Sequence, residues 1–327
     1  MNVSVIIPVY NAERYLLQAV ESVLAERFQG VKEIILVEDG SPDDSIKVAQ
    51  RLQSEFPEII HLYQHPDGIN RGAGASRNLG IKKATGNLIC FLDADDYWLP
   101  GRLDEPLEIL KVNADIDGVY APGVYFFEGR DERHKCGNLL EFVGSKKCIS
   151  PGDLLEAVLA GSHVCSTNGL IVRKPCFDKI GYYNEDLRRA QDMELFIRMA
   201  AKLRLVGTKS AKPVDVIRRH GQNRWNPGPE YEIELLEHAC AAFESLHRWL
   251  LYNSVNNHYR VLILKRLMHH YGCLGKFKQA WNVARKHKKI WLIKYACKYG
   301  FPGPRAIARL LHLGLSQIFP AAGAGRH

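Results

Sequence analysis

The sequence predicts an α/β chain, a mostly parallel sheet covered by helices on both faces, followed by a helical extension. Three observations carry this. Over the first hundred residues, short β-branched apolar runs alternate with segments whose apolar residues recur at helical spacing. Three of the runs stop at polar clusters: Tyr10-Asn11, Glu38-Asp39-Gly40-Ser41, and Asp93 to Asp96. Charge is unevenly divided. Residues 1–217 carry 26 Lys+Arg against 31 Asp+Glu, and residues 218–327 carry 18 against 5, so an overall +8 hides a −5 part and a +13 part.

In chain order, Val3-Ser4-Val5-Ile6-Ile7 reads as a buried parallel strand. Asn11 is a suitable helix N-cap, and Leu16, Leu17, Val20, Val23 and Leu24 follow at helical spacing. Glu33 to Val37 is a second strand. A helix with Ile46, Ala49, Leu52 and Phe56 on one face comes next, then a short strand from Ile59 to Tyr63. Gly72 to Ala84 reads as a helix opened by glycines, and Asn87 to Leu92 as a strand. Further on, Val119–Phe127, Gly169–Val172 and Val214–Arg218 read as strands, and Asp186–Ala201 as a helix with Leu195, Phe196 and Met199 inward. Asn226-Pro227-Gly228-Pro229 is a strong breaker, predicting domains at 1–225 and 226–327. The second holds helices over 231–253, 259–271, 276–289 and 305–319.

Composition excludes several classes. With 327 residues, 46% hydrophobic and 24% charged, the chain is not disordered, collagen-like or a polytopic membrane protein. No apolar run reaches ~18 residues. The eight cysteines form no CxxC pair, and Met1 to Tyr10 runs into a strand without a basic leader, so a cytoplasmic location is expected.

Asp93, Asp95 and Asp96 are the first candidates for chemistry. Carboxylates at a strand end can converge on a hard divalent cation that keeps positions open for phosphates. The alternative is a solvated acidic turn. Asp39 can accept from a nucleobase imide or a ribose hydroxyl, or it can shape the turn Asp39-Gly40-Ser41-Pro42. Arg71-Gly72-Ala73-Gly74-Ala75-Ser76-Arg77-Asn78 can bring N–H donors and Arg77 towards phosphate, but it is not a dinucleotide fingerprint, because Arg77 takes the third glycine's place. In an open α/β sheet such clusters share a crevice outside the strands' carboxyl ends.

These segments together resemble a family-2 glycosyltransferase of the GT-A fold. The matching residues are Ser4 to Asn11, Glu38 to Ser41, Ala75 to Gly80 and Phe91 to Asp96, then Gly181 to Glu185, Gln191 to Leu195 and Arg198. The likeness covers roughly residues 3–225. It implies an inverting transfer of sugar from a nucleotide-sugar, with UDP-sugar the expected donor, to a hydroxyl of a saccharide or lipid-linked acceptor. It implies that Pro8, Tyr10, Asn11 and Asp39 line the base and ribose, and that Arg77 meets the diphosphate. Asp93 would meet the ribose or the metal's water shell, and Ala94 would belong to the donor nucleotide site. Asp95 would be the principal ligand of Mn²⁺ or Mg²⁺, with His220 approaching the metal or the diphosphate. Asp192 would be the general base, although Gln191 replaces the first member of the family's Glu-Asp pair. Gln222-Asn223-Arg224-Trp225 is one residue short of the element found in processive synthases. A nucleotidyltransferase is disfavoured because Tyr10-Asn11-Ala12-Glu13 stands where a glycine- and lysine-rich loop would be. A non-catalytic sugar- or membrane-binding subunit is disfavoured by the intact carboxylates.

From Ser245 to the C-terminus there are 15 Lys or Arg and no Asp or Glu. This basic helical stretch, residues 245–327, can pack its apolar stripes on protein and also lie on an anionic membrane. No motif supports nucleic-acid binding.

Overall fold

The computed structural model describes residues 1–26, 30–128, 140–144, 149–160, 164–220, 229–253, 255–274, 276 and 279. The expected loop at 128–135 beyond Glu128, the breaker at 226–229 before Pro229, residues 222–225, and the helices expected over 276–289 and 305–319 lie essentially outside them. Two compact units are present, Met1–Asn226 and Pro227–His327.

Strand β1 (Val3–Val9) is almost wholly buried because helices cover both its faces. Its side chains alternate with the strand period of two. Val3, Val5, Ile7 and Val9 join a core with Leu16, Ala19, Val20 and Val23 of α1 (Leu16–Leu24) and with Ala49 and Leu52 of α2 (Ser45–Glu55). Ile6 points to the other face and meets α3 (Ala73–Lys83), where a Cβ on Gly80 would overlap Ile6 Cγ2. Parallel pairing joins β1 to β2 (Val31–Glu38) on one side and β4 (Leu88–Phe91) on the other, and β2 to β3 (Ile60–Gln64).

The order β10-β6-β9-β4-β1-β2-β3 completes a seven-stranded sheet. Here β6 is Gly118–Tyr120, β9 is Leu170–Arg173 and β10 is Leu205–Gly207. Strand β9 runs antiparallel to both β4 and β6. A second sheet has the order β5-β11-β7-β8, with β5 (Tyr97–Trp98), β7 (Gly123–Phe127), β8 (Leu140–Val143) and β11 (Asp215–Arg219). The strand order reverses at β1, so the crevice lies beyond the ends of β1, β2 and β4.

Three expectations are corrected here. Asn11 is not a helix cap; its φ is 52°, and α1 starts only at Leu16, after a turn in which Tyr15 and Leu16 donate to the Ala12 carbonyl. Val119–Phe127 is not one strand. Pro122 cannot donate to a ladder, and around it the chain leaves the large sheet for the small one. Helix α7 is Gln191–Lys202, not Asp186 onward, because Ala190 at φ 57° cannot continue a helix. The remaining helices of this unit are α4 (Asp104–Val112), α5 (Pro151–Leu159) and α6 (Cys176–Ile180).

The second unit contains α8 (Pro229–Tyr252) and α9 (Asn257–Cys273). They pack on each other, with Ala242, Phe243, Leu246 and Leu250 buried on α8 and Ile263, Leu264 and Leu267 buried on α9. Among the described residues, no helix is long and apolar enough to cross a membrane.

Glu33 is a polar fastener inside the sheet. It accepts from Ser4 Oγ at 2.5 Å, Thr85 N at 2.6 Å, Thr85 Oγ1 at 2.9 Å and Gly86 N at 3.2 Å. Burial pushes this carboxyl up, but the donors outweigh burial and hold it below its ordinary value. Its stabilisation is therefore present at neutral pH and lost as pH falls through that lowered value. Glu33→Gln should cost about 1–3 kcal/mol in urea unfolding at pH 7, and the gap to the parent should narrow on acidification. Gly80→Ala should destabilise by about 1–3 kcal/mol, and adding Ile6→Ala should cost less than the sum of the two changes.

Candidate active site

The crevice is lined by strand ends that the parallel sheet brings side by side. Gly40, at φ +69°, turns the chain after β2 where a Cβ would come 2.8 Å from Asn70 N. This brings the loop before α3 against Asp39, which is 2% exposed. The two Asp39 oxygens accept from Arg71 N at 2.7 Å and Gly72 N at 2.9 Å. Asp39 thus shapes the loop that opens α3. Pro8 lies one residue before the end of β1, Tyr10 is 42% exposed beyond the strand, and Asn11 N donates to Ser41 Oγ at 3.3 Å. Ala94, by contrast, has its side chain buried in the hydrophobic core.

The acidic turn after β4 does not point three carboxylates at one place. Asp93 is ion-paired with Arg77 of α3. Asp95 Oδ2 lies 3.4 Å from His220 Nε2, and the His220 ring lies against Tyr15, tilted by 33°, with centroids 4.6 Å apart. Asp96 is buried and turned inward, accepting from Asn168 Nδ2 and from Arg218 N, both at 2.7 Å. Burial first, then the neighbouring Asp95 and Asp93 charges, push the Asp96 carboxyl well up, against the pull of those two donors.

Among the described residues, no three His, Cys, Asp or Glu side chains are arranged to hold a metal ion. Asp96 is accordingly not a ligand candidate. Asp95 and His220 fit a different arrangement. Their 3.4 Å separation is compatible with two neighbouring ligands of one ion, and Mg²⁺ commonly takes one or two carboxylates, such as Asp95, plus substrate phosphates and water.

Arg77 is 3% exposed, and its Nε and Nη1 have no hydrogen-bond partner. Burial opposes its charge, but Asp93 and Asp192 outweigh burial and raise its pKa. Asp192 therefore lies within electrostatic reach of Arg77. It stands exposed on the first turn of α7, with Oδ1 accepting from Met193 N at 2.8 Å. Two devices hold α7 there. Arg198 donates to the Ile180 and Tyr182 carbonyls at 2.6 and 2.7 Å while paired with Glu194. Asn78, next to Arg77, exchanges bonds with the Tyr183 backbone at 2.9 and 2.8 Å.

The structure thus brings Arg77, Asp93, Asp95, Asp192 and His220 to the ends of β1 and β4, β11 and α7. Sequence reasoning assigned nothing to Asn168 or Arg218. Arg218 donates to the Asp95 carbonyl at 2.9 Å and to Glu128 Oε1 at 3.1 Å, and its guanidinium lies 4.9 Å from the Tyr15 ring centre. Deeper in, Asp215 is fully buried, and that burial lifts its carboxyl to about 7. No local pattern around these residues marks them, because the partners that define them lie in distant parts of the chain.

Known proteins share this architecture. An uncharacterized glycosyltransferase of Nostoc sp. is 42% identical over 184 residues, covering 55% of this chain and 53% of the relative. The chain thus spans about half the length of such curated relatives. A crystal structure of S. aureus TarS 1-349 in complex with UDP-GlcNAc superposes with a TM-score of 0.57 at 18% identity, covering 83% of this chain and 72% of that one. The mannosyltransferase PcManGT from Pyrobaculum calidifontis, in complex with GDP-Man and Mn²⁺, gives 0.56 at 16% identity, covering 97% and 81%. At these identities the likeness shows the fold, which is GT-A. Residues 4–174, just over half of the chain, match the family model described as Glycosyl transferase family 2, and the chain belongs to that family.

Proposed function

We propose that the chain is an inverting glycosyltransferase that moves a sugar from a nucleotide-diphosphate sugar, a UDP-sugar, to a hydroxyl of a saccharide or lipid-linked acceptor. One observation carries this beyond family membership. Arg77, a buried cation, is paired with Asp93, within electrostatic reach of Asp192, and has two nitrogens, Nε and Nη1, without a hydrogen-bond partner. Buried donors without partners are costly, and an anionic diphosphate would satisfy them.

The roles follow from position. Tyr10, Pro8 and the loop held by Asp39 flank the base and ribose. Arg77 meets the diphosphate as it becomes the leaving group. Asp95, with His220, would hold the Mn²⁺ or Mg²⁺ that neutralises that group. Asp192 accepts the proton of the acceptor hydroxyl as its oxygen bonds to the anomeric carbon and the bond to the diphosphate breaks. A single displacement inverts that carbon. The nucleotide-sugars bound by TarS and PcManGT support this donor class. The basic, acid-free sequence after Glu244 supports a place on the cytoplasmic face of a membrane, where a lipid-linked acceptor would lie.

Release of UDP, followed over a panel of sugar donors with saccharide and lipid acceptors, tests the reaction. Asp192→Asn should leave UDP affinity intact and lower kcat by about 10²–10⁴-fold, whereas undiminished transfer would remove the base assignment. In calorimetric titrations, Asp95→Ala should abolish the gain in UDP affinity that Mn²⁺ brings.

A further inference from the structure

Asp96 and Asn168 are 3% and 1% exposed, and neither is placed to meet a ligand. We propose that together they are a positioning clamp that sets where Asp95 stands relative to His220, and hence where a divalent cation would bind. The proposal deepens, and rests on, the metal role assigned to Asp95 above.

The clamp is built from a single side-chain amide used at both ends. Asn168 Oδ1 accepts from Asp93 N at 3.0 Å, and Asn168 Nδ2 donates to Asp96 Oδ2 at 2.7 Å. The amide therefore ties the first and last residues of the acidic turn to one point, just before β9. That point is itself held. The Asn168 carbonyl accepts from Arg102 Nη2 at 2.9 Å and Nε at 3.3 Å, and Arg102 is fully buried.

The second half of the clamp runs through β11. The other Asp96 oxygen accepts from the Arg218 backbone N–H at 2.7 Å. Arg218 Nε returns a bond to the Asp95 carbonyl at 2.9 Å. Two residues further along the same chain is His220, 3.4 Å from the Asp95 carboxylate. Asp96 thus joins the turn that carries Asp95 to the strand that delivers His220. Three carboxylates within four residues repel one another, so a turn without these ties has every reason to open. The amide at position 168 serves both ends, since its oxygen accepts from a backbone N–H while its nitrogen donates to a carboxyl oxygen.

Two single substitutions break the Asn168–Asp96 bond, one adding an acidic group and the other removing one. Asn168→Asp adds a negative charge and removes the donor. Asp96→Asn removes an acidic group and sets amide donor against amide donor. The double variant N168D/D96N restores a donor facing an acceptor at the parent's total charge. Mn²⁺ binding in the presence of UDP is read by electron paramagnetic resonance, UDP binding without metal by calorimetry, and folding by thermal melting, with Asp95→Ala as reference.

Both single variants should bind Mn²⁺ about 10–100-fold more weakly, with metal-free UDP affinity changed less than about twofold, and the double variant should return most of the loss. Singles that move in opposite directions would make the effect one of charge and overturn the clamp. So would singles that bind Mn²⁺ like the parent, or a metal-free UDP affinity that falls in parallel. If a single variant does not fold, a double variant that folds and binds Mn²⁺ normally upholds the clamp, and one that folds without binding overturns it. A parent that gains nothing from Mn²⁺, with Asp95→Ala equally silent, overturns the metal reading and the clamp together; a responsive parent with indifferent variants overturns the clamp alone.

Discussion

Repulsion among the carboxylates of one short turn is the constraint around which the site is organised. Asp93, Asp95 and Asp96 leave the same strand end, and two unit charges 4 Å apart repel by about 1 kcal/mol in water and about 4 kcal/mol near a protein surface. Each is answered by a different donor from a different part of the fold. Arg77 of α3 takes Asp93, His220 beyond β11 stands beside Asp95, and Asn168 and the Arg218 backbone share Asp96. The turn is thus divided: two carboxylates stay accessible, and the third is spent on anchoring.

The same economy links the two halves of the crevice. Arg77 and Asn78 are neighbours on α3, and they act in different directions. Arg77 meets Asp93, while Asn78 grips the Tyr183 backbone of the segment leading into α7. Arg198 then ties α7 back to the Ile180 and Tyr182 carbonyls, so Asp192 is referenced to the helix that carries Arg77. Among the described residues, two non-glycine residues have positive φ, Asn11 and Ala190, and both border this crevice. Such backbone is retained where surrounding contacts over-determine it, and functional sites are where it concentrates. Here Ala190 ends the preceding loop so that Asp192 falls on the first turn of α7.

Much of the parallel core was legible in the sequence because its determinants are local. Alternating β-branched runs and helical spacing foretold β1 to β4 and α1 to α3, and the polar ends of three strands pointed to one crevice. Other parts were not legible. The expected strand over 119–127 failed at Pro122, a ladder-breaking residue whose consequence, a change of sheet, depends on where a partner strand lies. Residues 186–190 carry no sequence breaker, yet they form turns and bends that end in the left-handed backbone at Ala190, so α7 begins only at Gln191. Ala94 stands among the acidic residues of its motif, and packing sends its side chain into the core.

By itself the sequence determined the fold class, the order of the parallel strands' elements, and the set of charged residues that gather at the strand ends. Periodicity and chain order suffice for these, since neighbours in sequence become neighbours in a β-α-β unit. Only the tertiary structure decided what each carboxylate does. Asp93, Asp95 and Asp96 look alike in sequence, and their different fates are set by partners 16, 125 and 72 positions away in the chain: Arg77, His220 and Asn168. A carboxylate becomes an anchor or a reactive group according to the donors and the burial around it, and those exist only once the sheet has brought distant strands together.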